Sequence, residues 1–398
     1  MIAEKMKGLV ANNSAIRTMF EEGKLLAAQF GEENVFDFSL GNPSVPAPPE
    51  VNQAIIDVVN QEDPTFIHGY MSNAGYDDVR QAVAESLNRR FGTHFSSRNI
   101  IMTAGAGMAI NILLCALLNP GDEVIAFAPY FMEYNTYVGN YYGKVVAVKP
   151  DTSTFMPDLD AFAAAITPKT RAVMVNSPNN PSGVVYPEST LRDIARILTE
   201  KSAMCAQPIV LIADEPYREL VYGGVEVPYV THFYPHTAVC YSYSKSLSLP
   251  GERVGYLVVP DEFHDFANVI TAATIANRVS GCVNAPSLMQ RVIKRCLDLK
   301  CDVAAYERNR DLLYEGLRGL GFECIKPEGA FYLFIKSPDP DDLGFIAACK
   351  KRRILIVNGT AFACPGYARI AYCVPYERIQ RALPAFQEVA QEYGLGQR

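Results

Sequence analysis

Several short stretches of this sequence carry side chains suited to chemistry on a bound small molecule. In Tyr241-Ser242-Tyr243-Ser244-Lys245-Ser246 a lysine stands among hydroxyls directly after an apolar run. A lone lysine is ordinarily a solvated surface group. One at the mouth of a buried sheet is a candidate amine nucleophile. Asp214-Glu215-Pro216-Tyr217 follows another apolar run, where an acid suits a helix cap, a metal ligand or a partner for a protonated base. Thr103-Ala104-Gly105-Ala106-Gly107 leads into a helix, and small residues there leave backbone N–H groups open to an anion. It is no dinucleotide fingerprint, because Ile110 takes the third glycine position, and no Gly-Lys-Ser/Thr follows to make a nucleotide-phosphate loop. Asn176 to Gly183 is rich in Asn and Pro, which turn chemistry alone explains. Arg253 stands just before a further apolar run. Together these pieces describe a pocket with an anion site, a carboxylate, an amide, a phenol, a primary amine and a guanidinium.

The elements that must position them follow from the apolar pattern. Strands are predicted at 99–103, 123–127, 144–148, 171–175, 208–213, 237–241 and 255–259, with helices at 108–118 and 189–201 among them. Near-continuous apolar strands alternating with helices predict an α/β fold, a mostly parallel seven-stranded sheet between helix layers. Ligands of such sheets sit at the carboxyl ends of the strands, where most of the stretches above fall. After Ala285 the pattern changes: helices at 287–297 and 303–320, strands at 331–335 and 368–373, and a closing helix at 377–393. This predicts a large domain over 46–285 and a smaller α+β domain from 1–45 and 286–398, including an amphipathic stretch at 16–30.

Composition removes several function classes. With 398 residues, 49% hydrophobic and 20% charged, the chain has the balance of a globular protein with a large core. Its 36 Lys+Arg against 43 Asp+Glu give −7, with no basic block to attract nucleic acid or an anionic membrane. The apolar run 112–118 is far short of the ~20 residues that span a bilayer. The first ten residues contain no secretory apolar region. Ten scattered cysteines without a Cys-x-x-Cys pair predict a reduced, cytoplasmic protein, and five histidines without His-Glu-x-x-His predict no metal site.

A phosphorylated cofactor bearing an aldehyde and a basic ring nitrogen would use every group in the pocket, and pyridoxal 5'-phosphate is such a molecule. The chain resembles the fold type I pyridoxal-phosphate enzymes, specifically the class I and II aminotransferases of the aspartate aminotransferase group. The resemblance runs from Gly41-Asn42-Pro43 to the closing helix. Its motifs are Tyr70 to Gly75, Gly105 to Gly107, Asn119-Pro-Gly-Asp122, Pro129-Tyr130-Phe131, Asn180-Pro-Ser-Gly183, Asp214 to Tyr217, Ser244-Lys245, Arg253 and Arg369, all in family order.

The resemblance implies transamination between an amino acid and a 2-oxo acid. Lys245 would form the internal aldimine and then act as the base that moves a proton, with a pyridoxamine form between the half-reactions. Asp214 would keep the ring nitrogen protonated. Asn180 and Tyr217 would bond the 3'-oxygen, and Phe131 would stack on the ring. Gly105, Ala106, Gly107, Ser242, Ser244 and Arg253 would form the phosphate cup. Arg369 would clamp the substrate α-carboxylate, helped by Gly41 and Asn180. Tyr70 matches a tyrosine that reaches a neighbouring subunit's phosphate, which implies a homodimer with the site at its interface. Arg278 lies where aspartate aminotransferases take an arginine that reads the distal carboxylate; an interface ion pair is an equal reading of it. Two other functions share most of these residues. One is a β-eliminating carbon–sulfur lyase. The other is a cofactor-binding regulatory protein, which usually adds a basic arm that the first 40 residues lack.

Overall fold

The computed structural model describes residues 1–11 and 15–396. Its strands, in chain order, are β1 (Phe36–Asp37), β2 (Ile100–Thr103), β3 (Glu123–Phe127), β4 (Lys144–Val148), β5 (Thr170–Asn176) and β6 (Val210–Asp214). They continue with β7 (Thr237–Ser242), β8 (Gly255–Val258), β9 (Tyr332–Lys336), β10 (Ile354–Leu355), β11 (Val357–Asn358) and β12 (Tyr367–Ala371). Seven of them form one sheet in the order β2-β8-β7-β6-β5-β3-β4, as the apolar pattern predicts.

Alternation within those strands builds two cores at once. Ile125, Val173 and Leu211 enter one apolar cluster, while their neighbours Val124, Ala172 and Val210 enter another. Side chains two apart share a sheet face, so the two clusters lie on opposite faces and both are buried. Every pairing in the sheet is parallel except those of β8, which runs antiparallel to β2 and β7. That reversal matters for the site. Register sets Gly255 at the start of β8 beside Thr103 and Ser242 at the ends of β2 and β7. Arg253, two residues earlier, therefore arrives at the same sheet edge as the other strands' carboxyl ends.

Some boundaries shift from the sequence expectations. Strand β6 spans 210–214, not 208–213; Pro208 has no N–H to give a ladder. The helix expected at 108–118 starts earlier and spans Gly105–Leu117, so the Gly-Ala-Gly stretch is its first turn. Strands expected at 331–335 and 368–373 lie at 332–336 and 367–371, paired antiparallel beside β11. Strand β1 pairs in parallel with β10, tying the chain near residue 36 to the chain near 354. A third apolar cluster contains Phe36, Phe38, Tyr306, Phe331, Phe345 and Phe386.

Candidate active site

The carboxyl ends of the strands open onto a cavity of about 520 Å³. Its lining brings together Gly41, Ala106, Gly107, Phe131, Asn180 and Asp214 with Tyr217, Ser242, Ser244, Lys245, Arg253 and Arg369. Residues more than 300 positions apart in sequence thus share one wall.

At the sheet edge Asn176 and Asp214 are paired in register. Asn176 donates its amide to the Asp214 carbonyl at 2.8 Å and accepts from the Asn180 N–H at 2.7 Å. The end of β5, the end of β6 and the Asn180 turn are therefore locked together. Asp214 is buried, and its Oδ2 accepts a 2.6 Å bond from the Tyr134 hydroxyl. Its Oδ1 has no partner among the described residues. Burial raises the Asp214 pKa to about 7; the Tyr134 hydroxyl opposes that and the Glu215 charge adds to it. A buried carboxylate oxygen left bare is costly, so it is built for a donor that arrives from the cavity. Glu215, the neighbouring acid, accepts with both its oxygens from the buried Arg218 guanidinium and does not line the cavity.

Lys245 rides on the one-turn helix Tyr243–Ser246, which Ser242 caps by accepting from the Ser244 N–H. Its amine donates to the Gly41 carbonyl at 2.7 Å and lies 5.3 Å from the centre of the Phe331 ring. Desolvation brings its pKa down to about 8, with Arg253 and Arg369 pushing the same way and Cys373 against them. Near neutral pH a fraction of this amine is uncharged and able to attack a carbonyl carbon. Gly41 is required here, because a Cβ at that position would collide with the Tyr332 hydroxyl.

The phosphate end is equally incomplete. Helix Gly105–Leu117 begins without any side chain capping its first turn, so its free N–H groups face the cavity edge. Gly105 has φ +78°, and a Cβ there would sit 3.0 Å from the Arg253 guanidinium. Among the described residues Arg253 bonds only the carbonyls of Pro250 and Ala104, and the Ser242 and Ser244 hydroxyls lie 2.7 Å apart beside it. Uncapped N–H groups, two hydroxyls and an arginine that no described acid pairs make an anion cradle.

Arg369 is buried, yet no carboxylate pairs with it among the described residues. It donates to Asn180 Oδ1 at 3.1 Å and the Ser39 carbonyl at 2.6 Å, while its Nε has no partner. Its guanidinium is packed over the rings of Tyr332, at 4.4 Å, and Phe362, at 4.8 Å. The Tyr217 hydroxyl lies 3.0 Å from that of Tyr332. Half-buried Phe131 lies edge-on to Tyr134 at 5.8 Å.

The bare Asp214 oxygen, the depressed amine and the open anion cradle fit pyridoxal phosphate: an acceptor for its ring N–H, a partner for its aldehyde, a seat for its phosphate. Three expected residues are not in the cavity lining: Gly105, which lies at its edge beside Arg253, and two that lie away from it. Tyr70 is 93% exposed, and Arg278 is exposed on helix Phe266–Val279. Tyr134 and Tyr332 belong to the site and were not expected there; no motif in the sequence ties them to Asp214 or Arg369.

Comparisons with known proteins agree with this geometry. The family described as aminotransferase class I and II matches residues 33–386. The aspartate/prephenate aminotransferase of Thermus thermophilus is 31% identical over 399 residues, covering 96% of this chain and 99% of the relative. The crystal structure of an amino transferase from Eubacterium rectale covers 99% of both chains at 47% identity, with a TM-score of 0.96. An aspartate aminotransferase from Thermus thermophilus, solved with maleate, covers 95% of this chain and 97% of its own at 31% identity and a TM-score of 0.85. The chain belongs to the class I and II aminotransferases and is a pyridoxal-phosphate-dependent enzyme of that family.

Proposed function

We propose that this aminotransferase takes a dicarboxylic amino acid, with aspartate first, as donor to a 2-oxo acid, and that it works as a homodimer in the cytoplasm. The observation that carries the reading is the buried Arg369, which no acid pairs among the described residues, in the same cavity as Lys245 and Asp214. A buried cation is expensive unless something pairs with it, and a substrate α-carboxylate completes it. The names of the relatives support aspartate. Ten free cysteines, most of them buried or half-buried, suit a reducing compartment. No described helix is long and apolar enough to cross a membrane. The division into a large domain over 46–285 and a smaller one is supported by the β1–β10 pairing and the separate apolar cluster around Phe331.

Each residue then has a task. Arg369 fixes the α-carboxylate, and the Asn180 amide nitrogen is left free because its oxygen already faces Arg369. Asn180 and Tyr217 would donate to the cofactor's 3'-oxygen, Phe131 would cover its ring, and Asp214 would hold the proton on the ring nitrogen. Gly105, Ala106, Gly107, Ser242, Ser244 and Arg253 seat the phosphate. When bound, pyridoxal phosphate supplies the carbonyl carbon and the electron-withdrawing ring. The Lys245 amine would take the proton from the substrate Cα and deliver it to the cofactor's former carbonyl carbon.

Arg369→Leu is expected to lower kcat/KM for every amino acid by roughly ten- to a hundredfold, the worth of a charge-assisted bond of ~1.5–3 kcal/mol. The cofactor-free variant should melt at or above the wild-type temperature, since an uncompensated buried charge is removed. Calorimetry and steady-state kinetics together check both signs. A loss of stability with unchanged kinetics would make Arg369 a structural cation.

The distal carboxylate requires another cation. Among the described residues the cavity's cations are Lys245, Arg253 and Arg369, and the tasks above assign all three to the cofactor or the α-carboxylate. We assign the missing charge to Arg278 of the partner subunit. Ile275, Arg278 and Val279 are exposed along one face of their helix, and Tyr70 is exposed as well, which supports a subunit contact there. Arg278→Leu should cut kcat/KM for aspartate roughly ten- to a hundredfold while sparing alanine and aromatic donors. An equal loss for all donors would make the residue structural. The overall reading is tested by a donor panel of aspartate, alanine, tyrosine and cystathionine with 2-oxoglutarate. Release of pyruvate and ammonia in place of a new amino acid would mark a lyase.

A further inference from the structure

Behind the cavity a chain of buried side chains ends on the helix that carries Lys245. Of the segment that ends β6 and follows it, Asp214, Pro216 and Tyr217 line the cavity, while Glu215, Arg218 and Glu219 do not. Glu219 is 7% exposed, and one of its oxygens takes a bond from Arg90. The other lies 2.9 Å from the Tyr241 hydroxyl, which in turn lies 2.9 Å from Ser246 Oγ. A phenol has one proton to give, so with the carboxylate taking it the Ser246 hydroxyl donates to Tyr241. Stacking holds the phenol in place, with the Tyr256 ring 4.8 Å away at 19°. The opposite side of the same turn is pinned by Cys301, whose N–H donates to the Ser246 carbonyl at 2.8 Å and whose thiol faces the Lys245 carbonyl at 3.4 Å. The helix itself is only four residues long and has little internal bonding to resist tilting.

We propose that Glu219 is a positioning residue which, through Tyr241 and Ser246, sets the orientation of the turn bearing Lys245 and hence the reach of its amine. The inference rests on the reading of Lys245 as the amine that binds the cofactor. Because Glu219 and Asp214 share one segment, the relay also keeps amine and carboxylate in fixed mutual geometry. Small misplacements of reacting groups are expensive, with ~1 Å costing up to ~10²-fold.

The test uses the full-length holoenzyme and its cofactor-free form in Glu219→Gln, Tyr241→Phe and the double variant. Tyr241→Phe leaves the Arg90–Glu219 pair and the ring stack intact, so it remains informative if Glu219→Gln folds poorly. Two quantities are read: kcat at saturating cofactor, and the rate at which the cofactor-free protein forms a borohydride-reducible link on adding pyridoxal phosphate. Both should fall about tenfold or more in each single variant, with KM nearly unchanged. The double variant should be no slower than the worse single one, because one relay is broken once. Unchanged rates in both singles, or losses that multiply in the double, overturn the inference. A wild-type protein that forms no reducible link at Lys245 overturns the active-site reading first, and this inference with it.

Discussion

Lys245→Ala is expected to abolish turnover and the visible absorbance of the bound cofactor, while the chain stays folded. Two separate functions are lost together. The amine that condenses with the cofactor aldehyde is gone, and so is the base placed to move the proton at the substrate Cα. Proton transfer by a positioned side chain contributes roughly 10²–10⁴-fold, so residual activity should be at least that far below wild type. An added small amine should restore part of it, since the cavity left by the side chain is open to the substrate space. Stability should move the other way. Burial lowers the amine's pKa from its ordinary 10.5 to about 8. Between those values the unfolded chain binds the extra proton, so the lysine costs the cofactor-free fold most below pH 8 and least above 10.5. Cofactor-free Lys245→Ala should therefore melt above wild type at pH 7, with the gap closing as pH approaches 10. A Lys245→Ala protein that still yields a borohydride-reducible link would transfer the role to another amine.

Much of this site is legible in the sequence because it falls at strand ends. Lys245, Asp214, Asn180 and Gly105 each stand within a few residues of an apolar run buried on both faces, and such runs are the strongest signal a parallel sheet leaves. Strand direction leaves no such signal. The run at 255–258 reads like its neighbours, and only pairing shows that it is antiparallel and delivers Arg253 from its front end. Two-residue strands such as β1, β10 and β11 are too short for any period to show. The helices Pro49–Gln61 and Asp77–Phe91, which carry no site residue, escaped the expectations as well. Tyr134 and Tyr332 escape for a different reason. Their partners are 80 residues away for Asp214 and 115 away for Tyr217, and a tyrosine beside other aromatics is indistinguishable from core until the sheet closes. The bare state of Arg369 is likewise a property of packing, since sequence lists its possible acids but cannot show that none is near.

Asp214→Asn keeps the shape of the side chain and removes its charge, which makes it the sharper test of the carboxylate's task. Charge developing at the substrate Cα must be drawn toward the ring, and the ring draws best while its nitrogen stays protonated. Only a charged acceptor at Oδ1 holds that proton firmly; the Tyr134 hydroxyl on Oδ2 keeps the carboxylate turned so that Oδ1 is the free atom. Preorganised electrostatic groups of this kind are worth roughly 10²–10³ in kcat, about 2.7–4 kcal/mol. Asp214→Asn should lose at least that factor, with the cofactor still seated by the phosphate cradle. Asp214→Ala should lose as much and bind the cofactor more weakly, because a buried cavity replaces the carboxylate. The pH dependence has a definite sign. Burial lifts the Asp214 pKa from its ordinary 3.8 to about 7. The cofactor-free fold therefore binds the extra proton between those values, and the carboxylate costs it most above pH 7. Cofactor-free Asp214→Asn should accordingly melt above wild type at pH 8 and level with it near pH 4. A cationic ring nitrogen against Oδ1 reverses the burden, so the cofactor should stabilise wild type more than the variant at pH 8. Near wild-type kcat in Asp214→Asn would refute the role. Glu215 offers no substitute, since Arg218 occupies both its oxygens, so the reaction would then have to run without a carboxylate holding the ring proton.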